Sequence, residues 1–268
     1  MAADVTSAES APAEPVAEPV TRNASPHRWR FLFVYGTLAG VLALALAGVI
    51  VYAGRSISPG PTWSAWKPHG GGLGAAKEIA QHVGTDYRLP GGTQLVDVIA
   101  KAPSVSPSNQ QIPIHYVAVR GTKGAGDAIF PVDSSNSLMY SLCGLGQSCA
   151  IASGKASVER GTLVRREILE LALYTFKYVG GVNHVIAFMP PALGNQPLYA
   201  VYLQKSDLSQ ELKQPLTPTL SAKVPLPSTI QPREQQTIDS VLGPRVYKFS
   251  LSQAQQGDAI LVLSPFKA

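Results

Sequence analysis

Charged residues are scarce in this sequence of 268 residues: they make up 15% of it, whereas about 25% is typical of soluble proteins. The net charge is +5, but the basic residues do not cluster and aromatic residues do not alternate with them. A nucleic-acid-binding surface normally shows such clusters. We therefore expect no nucleic-acid partner, and at most a loose attraction to anionic lipid head groups or wall polymers.

Recognisable metal and cofactor motifs are also lacking. No HExxH pattern occurs, and the four histidines beyond residue 60 are far apart in the sequence. A metal site would have to be assembled entirely by folding. The glycine-rich segments match neither a dinucleotide-binding nor a phosphate-binding loop. We expect no metal and no cofactor. The histidines in question are His69, His82, His115 and His184.

Catalytic patterns are present only in fragments. Ser64 and Lys67 fit SxxK, and Ser134 with Asn136 fits SxN, as in wall-acting serine acyltransferases, but the third motif, KTG, is missing. An enzyme remains the alternative hypothesis, because an active site assembled from distant residues leaves no short motif. Candidates for such a site are Asp97, His115 and Glu167.

A long apolar run is the clearest positive feature. Residues 31–53 carry no charge, and as a helix they would span about 34 Å, against about 30 Å for the hydrocarbon core of a bilayer. Trp29 and Tyr52 flank the run, as expected at membrane interfaces. The sequence predicts one transmembrane helix. A cleaved signal peptide ending at Ala53 is the alternative, although signal peptides have shorter apolar segments.

The basic residues near this run predict its orientation. Arg22, Arg28 and Arg30 precede it, whereas Arg55 and Lys67 follow it. The positive-inside rule then places the N-terminus in the cytoplasm and the C-terminal domain outside.

Gly36 and Gly40 within the run form a GxxxG pattern, which lets two membrane helices approach closely. We expect either a homodimer contact there or, since glycine is common in membrane helices, no specific role.

Composition divides the chain into four parts. We expect a disordered cytoplasmic tail at 1–26, the transmembrane helix with its flanks at 27–55, a juxtamembrane spacer at 56–73 and an extracytoplasmic domain at 74–268. The tail is rich in Ala, Pro, Glu and Ser and contains no aromatic residue, so it cannot bury enough apolar surface to offset the entropy lost on ordering. Trp63 and Trp66 in the spacer either lie on lipid head groups or pack under the domain.

The domain shows both periodicities. Apolar residues recur every three to four positions in the predicted helices, and strand-like runs lie between clusters of Pro, Gly and Asn. The order strand, long helix, strand predicts a parallel crossover, and the C-terminal strands form a hairpin. We expect an α+β domain with a mixed sheet packed by helices. The predicted helices are 75–83, 157–179 and 233–242; the strands are 94–100, 112–120, 128–132, 137–142, 185–189, 198–203, 246–252 and 259–263; and an extended stretch covers 214–232.

The long helix carries charges off its apolar stripe. Arg165, Arg166, Glu167 and Glu170 have both signs, and Arg166 with Glu170 is an i,i+4 pair. They would form either a partner-binding surface or a solvated face.

The two cysteines, Cys143 and Cys149, enclose a short loop that contains glycines. Outside the reducing cytoplasm we expect them to form a disulfide.

The sequence around these motifs resembles a family. The segment from Cys143 through LVRREILELALYTFKYVGGVNHVIAFMPP, with WSAWKP upstream, is similar to uncharacterised actinobacterial membrane proteins with one N-terminal helix. The resemblance implies an anchored topology but no activity, substrate or catalytic residue.

Together these features favour a membrane-anchored binding or scaffold module of the cell envelope. Its expected partners are the lipid bilayer, possible membrane or envelope proteins and a second copy through the membrane helix. A wall- or lipid-modifying hydrolase or transferase is the alternative. A deep pocket with nucleophile, base and oxyanion donors would favour the enzyme, and an apolar surface or groove the module.

Overall fold

The structure, a computed structural model, describes residues 28–54, 62–105, 111–121, 128–152, 156–192, 195, 197–253 and 258–266. The chain divides into two compact units, 1–60 and 61–268. The tail predicted at 1–26 lies outside the described residues.

In the first unit the described residues form a single helix, α1 (Arg28–Gly54). Its window Trp29–Leu46 has a mean hydropathy of 1.7, and the side chains at 29–46 are exposed in the isolated chain. In the described part of the chain it is the one helix long and apolar enough to cross a bilayer. The predicted apolar helix is therefore present, and by length and composition it fits a membrane anchor.

The second unit is built on one mixed sheet, which has nine strands in the described residues. The spatial order is β1-β5-β6-β7-β8-β9-β3-β2, and β4 also pairs with β3. The β5–β6 and β3–β9 pairs are parallel and the others antiparallel. The strands are β1 (Asp97–Lys101), β2 (Ser104–Val105), β3 (Ile112–Arg120), β4 (Ile129–Asp133), β5 (Ser137–Cys143), β6 (His184–Phe188), β7 (Tyr199–Gln204), β8 (Val246–Gln253) and β9 (Ala259–Pro265).

Three helices cover one face of this sheet: α2 (Gly72–Asp86), α3 (Val158–Tyr178) and α4 (Pro232–Leu242). Ser157 caps α3 by accepting a hydrogen bond from the Arg160 backbone N–H. The helix α3 connects the parallel strands β5 and β6, as the sequence predicts. The main apolar core lies between these helices and β1, β5, β6 and β7. The predicted α+β fold with a mixed sheet is confirmed.

The sheet curls strongly because its two terminal strands are consecutive in the chain. Only Ala102 and Pro103 separate β1 from β2, yet these strands lie at opposite ends of the strand order. A two-residue connection spans at most about 10 Å, so the ends of the sheet must come close together. The sheet is therefore nearly a barrel, and a second apolar cluster fills part of its concave face.

Two details differ from the sequence analysis. The folded unit starts before residue 74: Trp63 and Trp66 pack against the main core, with ring centroids 5.5 Å from that of Tyr174. The stretch 214–232 is not simply extended, because it includes a short 3-10 helix at Pro227–Thr229 and buries Leu216 and Leu220.

Candidate functional site

A cavity of about 690 Å³ opens on the concave face of the curled sheet. Strands from both ends of the sheet line it, together with residues of the connection that follows β6. Ligand pockets commonly measure about 300–1,000 Å³ and lie in the mouths of barrels. Closure of the sheet thus creates a cavity of the size of a ligand site.

The walls of this pocket are mainly apolar because alternate residues of a strand face the same side of a sheet. In β5, Leu138 and Tyr140 face the helices while Met139 faces the pocket. Phe188 and Phe249 both line the pocket and contact each other edge to face, with ring centroids 4.7 Å apart. The remaining apolar lining includes Val105, Ile112, Met189, Pro191, Pro197, Leu251 and Leu261.

Polar groups are few in the lining. Ser104 donates a hydrogen bond to the carbonyl of Ala102 (3.2 Å) and accepts one from the Gln111 amide (2.9 Å). Of the described lining residues, only Lys101 is charged. Partial burial lowers the pKa of the Lys101 ammonium below its usual range, because the charged form loses hydration.

The disulfide lies at the rim of the pocket. Cys143 and Cys149 both line it, and their sulfur atoms are 2.09 Å apart. Close packing of this loop explains Gly144, where a Cβ would lie 2.2 Å from the Ala150 carbonyl oxygen. The predicted disulfide is confirmed, and it connects the end of β5 to the chain that leads into α3.

The charged residues of α3 do not form the exposed surface that the sequence analysis allows. Arg166 and Glu167 are 0% exposed, and the Glu170 side chain is mostly buried. Arg165 is 21% exposed and pairs with Asp239 at 2.9 Å. The interpretation of these four residues as a partner-binding or solvated face is wrong, because α4 and the segment around Ser221 cover this side of the helix.

Arg166 is instead the centre of a buried polar network. Its guanidinium contacts Glu234 (2.7 Å), Glu170 (3.1 Å) and the Ser221 carbonyl (2.8 Å), and it also donates to the Tyr87 hydroxyl. Tyr87 in turn donates to Glu170 at 2.7 Å. The network joins α3 to α4 and to the residue that follows α2. The predicted Arg166–Glu170 pair is confirmed, whereas no local pattern in the sequence indicates Tyr87 or Glu234 as partners of Arg166.

Glu167 lies next to this network but takes no part in it. Neither of its carboxylate oxygens has a hydrogen-bond partner in the described structure. Burial raises the pKa of Glu167 well above its usual value, and the nearby carboxylate of Glu170 raises it further. The positive charge of Arg166 acts in the opposite direction and lowers this pKa, but its effect is smaller. The surroundings of Glu167 therefore favour the neutral form of its carboxyl, as expected for an acid buried without a compensating bond.

The serines of the two catalytic fragments are hydrogen-bonded to neighbouring groups. The Ser64 hydroxyl bonds the Trp66 carbonyl and lies 2.8 Å from the Tyr178 hydroxyl, while Lys67 is exposed. Ser134 bonds the Ile114 carbonyl. Both serines are thus held by structural partners.

Of the remaining candidates, His115 lines a second cavity of about 460 Å³ together with Ser134 and Ser135 and lies 3.7 Å from Asp258. Asp97 is exposed on β1, and Glu167 is buried in α3. Of the other described histidines, His69 contacts Glu78, His82 stacks on Trp66, and His184 stacks on Tyr202. Among the described residues, no group of three or more potential ligands could hold a metal ion.

Groups that could exchange a proton are few in the pocket. Its described lining contains no histidine or carboxylate that could act as a general base. Lys101 makes no hydrogen bond to Ser104, whose hydroxyl is already paired with Ala102 and Gln111.

The sequence analysis missed Lys101 and this pocket. The only available signal was the apolar alternation in β8, where Tyr247, Phe249 and Leu251 share a face.

Comparison with known protein families, with curated proteins and with solved structures finds no match to this chain. The pocket and the apolar helix α1 are therefore the basis for a functional proposal.

Proposed function

We propose that this chain is a membrane-anchored binding module of the cell envelope, whose extracytoplasmic domain holds an apolar, lipid-like molecule in the concave pocket. The observation that carries the proposal is the cavity of about 690 Å³ with its largely apolar walls. Burying the apolar part of a ligand there would release about 25 cal/mol for each Å² removed from water.

The anchor supports the same proposal. A domain tethered to a helix such as α1 stays near a bilayer, where lipid-like molecules are concentrated. The orientation rests on the positive-inside rule and on Arg22, Arg28 and Arg30 before the helix. The resemblance to anchored actinobacterial proteins is compatible with this arrangement.

Filling the pocket tests the proposal. Ser141 lines the cavity from β5, so Ser141→Trp places an indole inside it. We expect full-length Ser141→Trp in lipid nanodiscs to lose most of its labelling by a photoreactive dodecanol, measured by mass spectrometry of pocket peptides.

Ser250→Trp is the matched control. Ser250 is exposed on β8 and faces away from the pocket, because it alternates with the lining residues Phe249 and Leu251. Equal labelling of both variants and the unchanged protein would contradict a binding role for the cavity. Conversion of a lipid or wall precursor by the unchanged protein would instead favour the enzyme.

A further inference from the structure

Lys101 brings a positive charge to an otherwise uncharged pocket. It is the last residue of β1 and pairs in register with Met139 of β5. Val98 and Ala100 of β1 face the helices, so Lys101 lies on the opposite, concave side. The ammonium group therefore belongs to the same surface as the buried side chains of Met139 and Leu261.

The described structure provides no counter-ion for Lys101. None of the ion pairs or hydrogen bonds in the described structure involves the Lys101 ammonium. The described pocket lining contains no Asp or Glu. Asp97 shares the concave side of β1, but four residues along a strand correspond to about 13 Å.

The segments that adjoin the lining but lie outside the described residues supply no acid either: 106–110, 193–194 and 254–257 contain neither Asp nor Glu. Asp258, which precedes the lining residue Ala259, lies 3.7 Å from His115. A carboxylate near Lys101 would have raised the pKa of its ammonium, whereas burial alone acts on it and lowers that pKa. The charged residue of the described lining thus has no ion-pair partner among the described residues.

We propose that the pocket selects amphiphiles that combine an apolar chain with an anionic head group, a carboxylate or a phosphate, and that Lys101 binds this head group. The inference rests on the proposed function, since it assumes that a chain occupies the cavity. The apolar walls contact the chain, and the ammonium group donates charge-assisted hydrogen bonds to the head.

Selectivity follows from the partly dehydrated position of Lys101. An anion that displaces the remaining water satisfies a charge that the protein leaves unpaired, whereas a hydroxyl head offers only a neutral hydrogen bond. From typical strengths of charged and neutral hydrogen bonds we expect a preference for the anion of about tenfold. A cationic head group would be repelled by the same lysine.

The test uses the full chain in phosphatidylcholine nanodiscs and three photoreactive dodecyl probes that differ only in the head: carboxylate, phosphate and alcohol. Mass spectrometry quantifies the label on pocket peptides. We expect Lys101→Met to reduce labelling by both anionic probes about tenfold while labelling by the alcohol is unchanged. Lys101→Arg, which keeps the charge, should retain the preference for anions.

Lys248→Met is the matched control for overall charge. Lys248 is exposed on β8 and faces away from the pocket, beside the lining residue Phe249. This variant should label like the unchanged protein. Stronger labelling by the carboxylate probe would indicate a fatty acid as the ligand, and by the phosphate probe a phospholipid.

Two results separate the inference from the function on which it rests. Suppose that the alcohol labels the pocket but that the anionic probes label it no better, or that they keep their advantage in Lys101→Met. The proposed role of Lys101 in selecting anions is then wrong, whereas the binding role of the pocket stands. If no probe labels the pocket of the unchanged protein, both are wrong.

Discussion

At the scale of single residues, Glu167 is the least compensated group in the described structure. Its carboxyl is fully buried and without a hydrogen bond, so it stays protonated in the fold, whereas in the unfolded chain it ionises above about pH 4.3. Folding therefore takes up a proton between these two pKa values. The stability associated with this group is fully present below the unfolded pKa and is lost as the pH rises.

Replacing Glu167 by Met removes this proton uptake and leaves a side chain that needs no hydrogen bond. We expect Glu167→Met to be more stable than the unchanged protein above pH 5. The difference should grow by about 1.4 kcal/mol for each pH unit until the pH passes the folded pKa. Urea unfolding at several pH values measures this difference, and Glu170, present in both proteins, contributes similarly to each.

Glu159→Met is the control, because Glu159 is an exposed residue in the first turn of the same helix. A hydrogen bond from its own backbone amide lowers the pKa of Glu159, so the group is ionised in both states above pH 5 and its replacement should give a pH-independent difference. A flat difference for Glu167→Met would show that the carboxyl has found a partner or is ionised in the fold.

At the scale of elements, α1 carries the prediction of self-association through Gly36 and Gly40. A Cβ added at either glycine would have no atom within 4 Å apart from the helix itself. Ile at these positions is therefore accommodated by the isolated helix and interferes only with a helix packed against it. We expect Gly36→Ile with Gly40→Ile to lower dimer formation in lipid, measured by energy transfer between labelled chains.

Ala45→Ile provides the matched control for α1. At about 100° per residue, Ala45 lies on the opposite side of the helix from Gly36, and its replacement places an Ile side chain on that side instead. An equal loss of energy transfer in both variants, or no loss in either, would remove the glycines as a contact.

The helix α3 shows how far periodicity predicts an element and where it stops. The recurrence of Ile168, Leu171 and Phe176 predicted both the helix and its face toward the core. The burial of Arg166 did not follow, because charged residues are normally exposed. Its partner Glu234 is 68 positions away, and no local pattern contains that pairing.

At the scale of the whole molecule, the orientation of the chain is still a prediction. A reporter enzyme that is active only outside the cytoplasm should work when fused after Ala268, whereas the same reporter before residue 27 should be inactive. The reason is the excess of Arg22, Arg28 and Arg30 on the N-terminal side of α1. Fusion activities in cells measure this directly.

Removing the positive charges before α1 provides the control for orientation. Substituting Gln for Arg22, Arg28 and Arg30 should weaken the bias, so that part of the population inserts in the opposite sense. Protection of the C-terminal domain from protease added to spheroplasts would contradict the assigned orientation.

The sheet could be predicted strand by strand but the pocket could not. The strand candidates follow from runs of apolar and β-branched residues, and the parallel crossover follows from chain order. The cavity depends on which strands become neighbours. The β3–β9 pair joins Ile114 to Ala259, and nothing in either segment alone specifies the other.

The position of β9 has a consequence for biosynthesis. This strand comes last in the order of the described strands but lies between β8 and β3, so a nascent chain has an open gap in its sheet until residues 259–265 have been synthesised. During that interval the edges of β3 and β8 present unpaired backbone groups, which are sites for wrong strand pairing. Maturation of the domain is thus completed by β9, after the other strands have already left the ribosome.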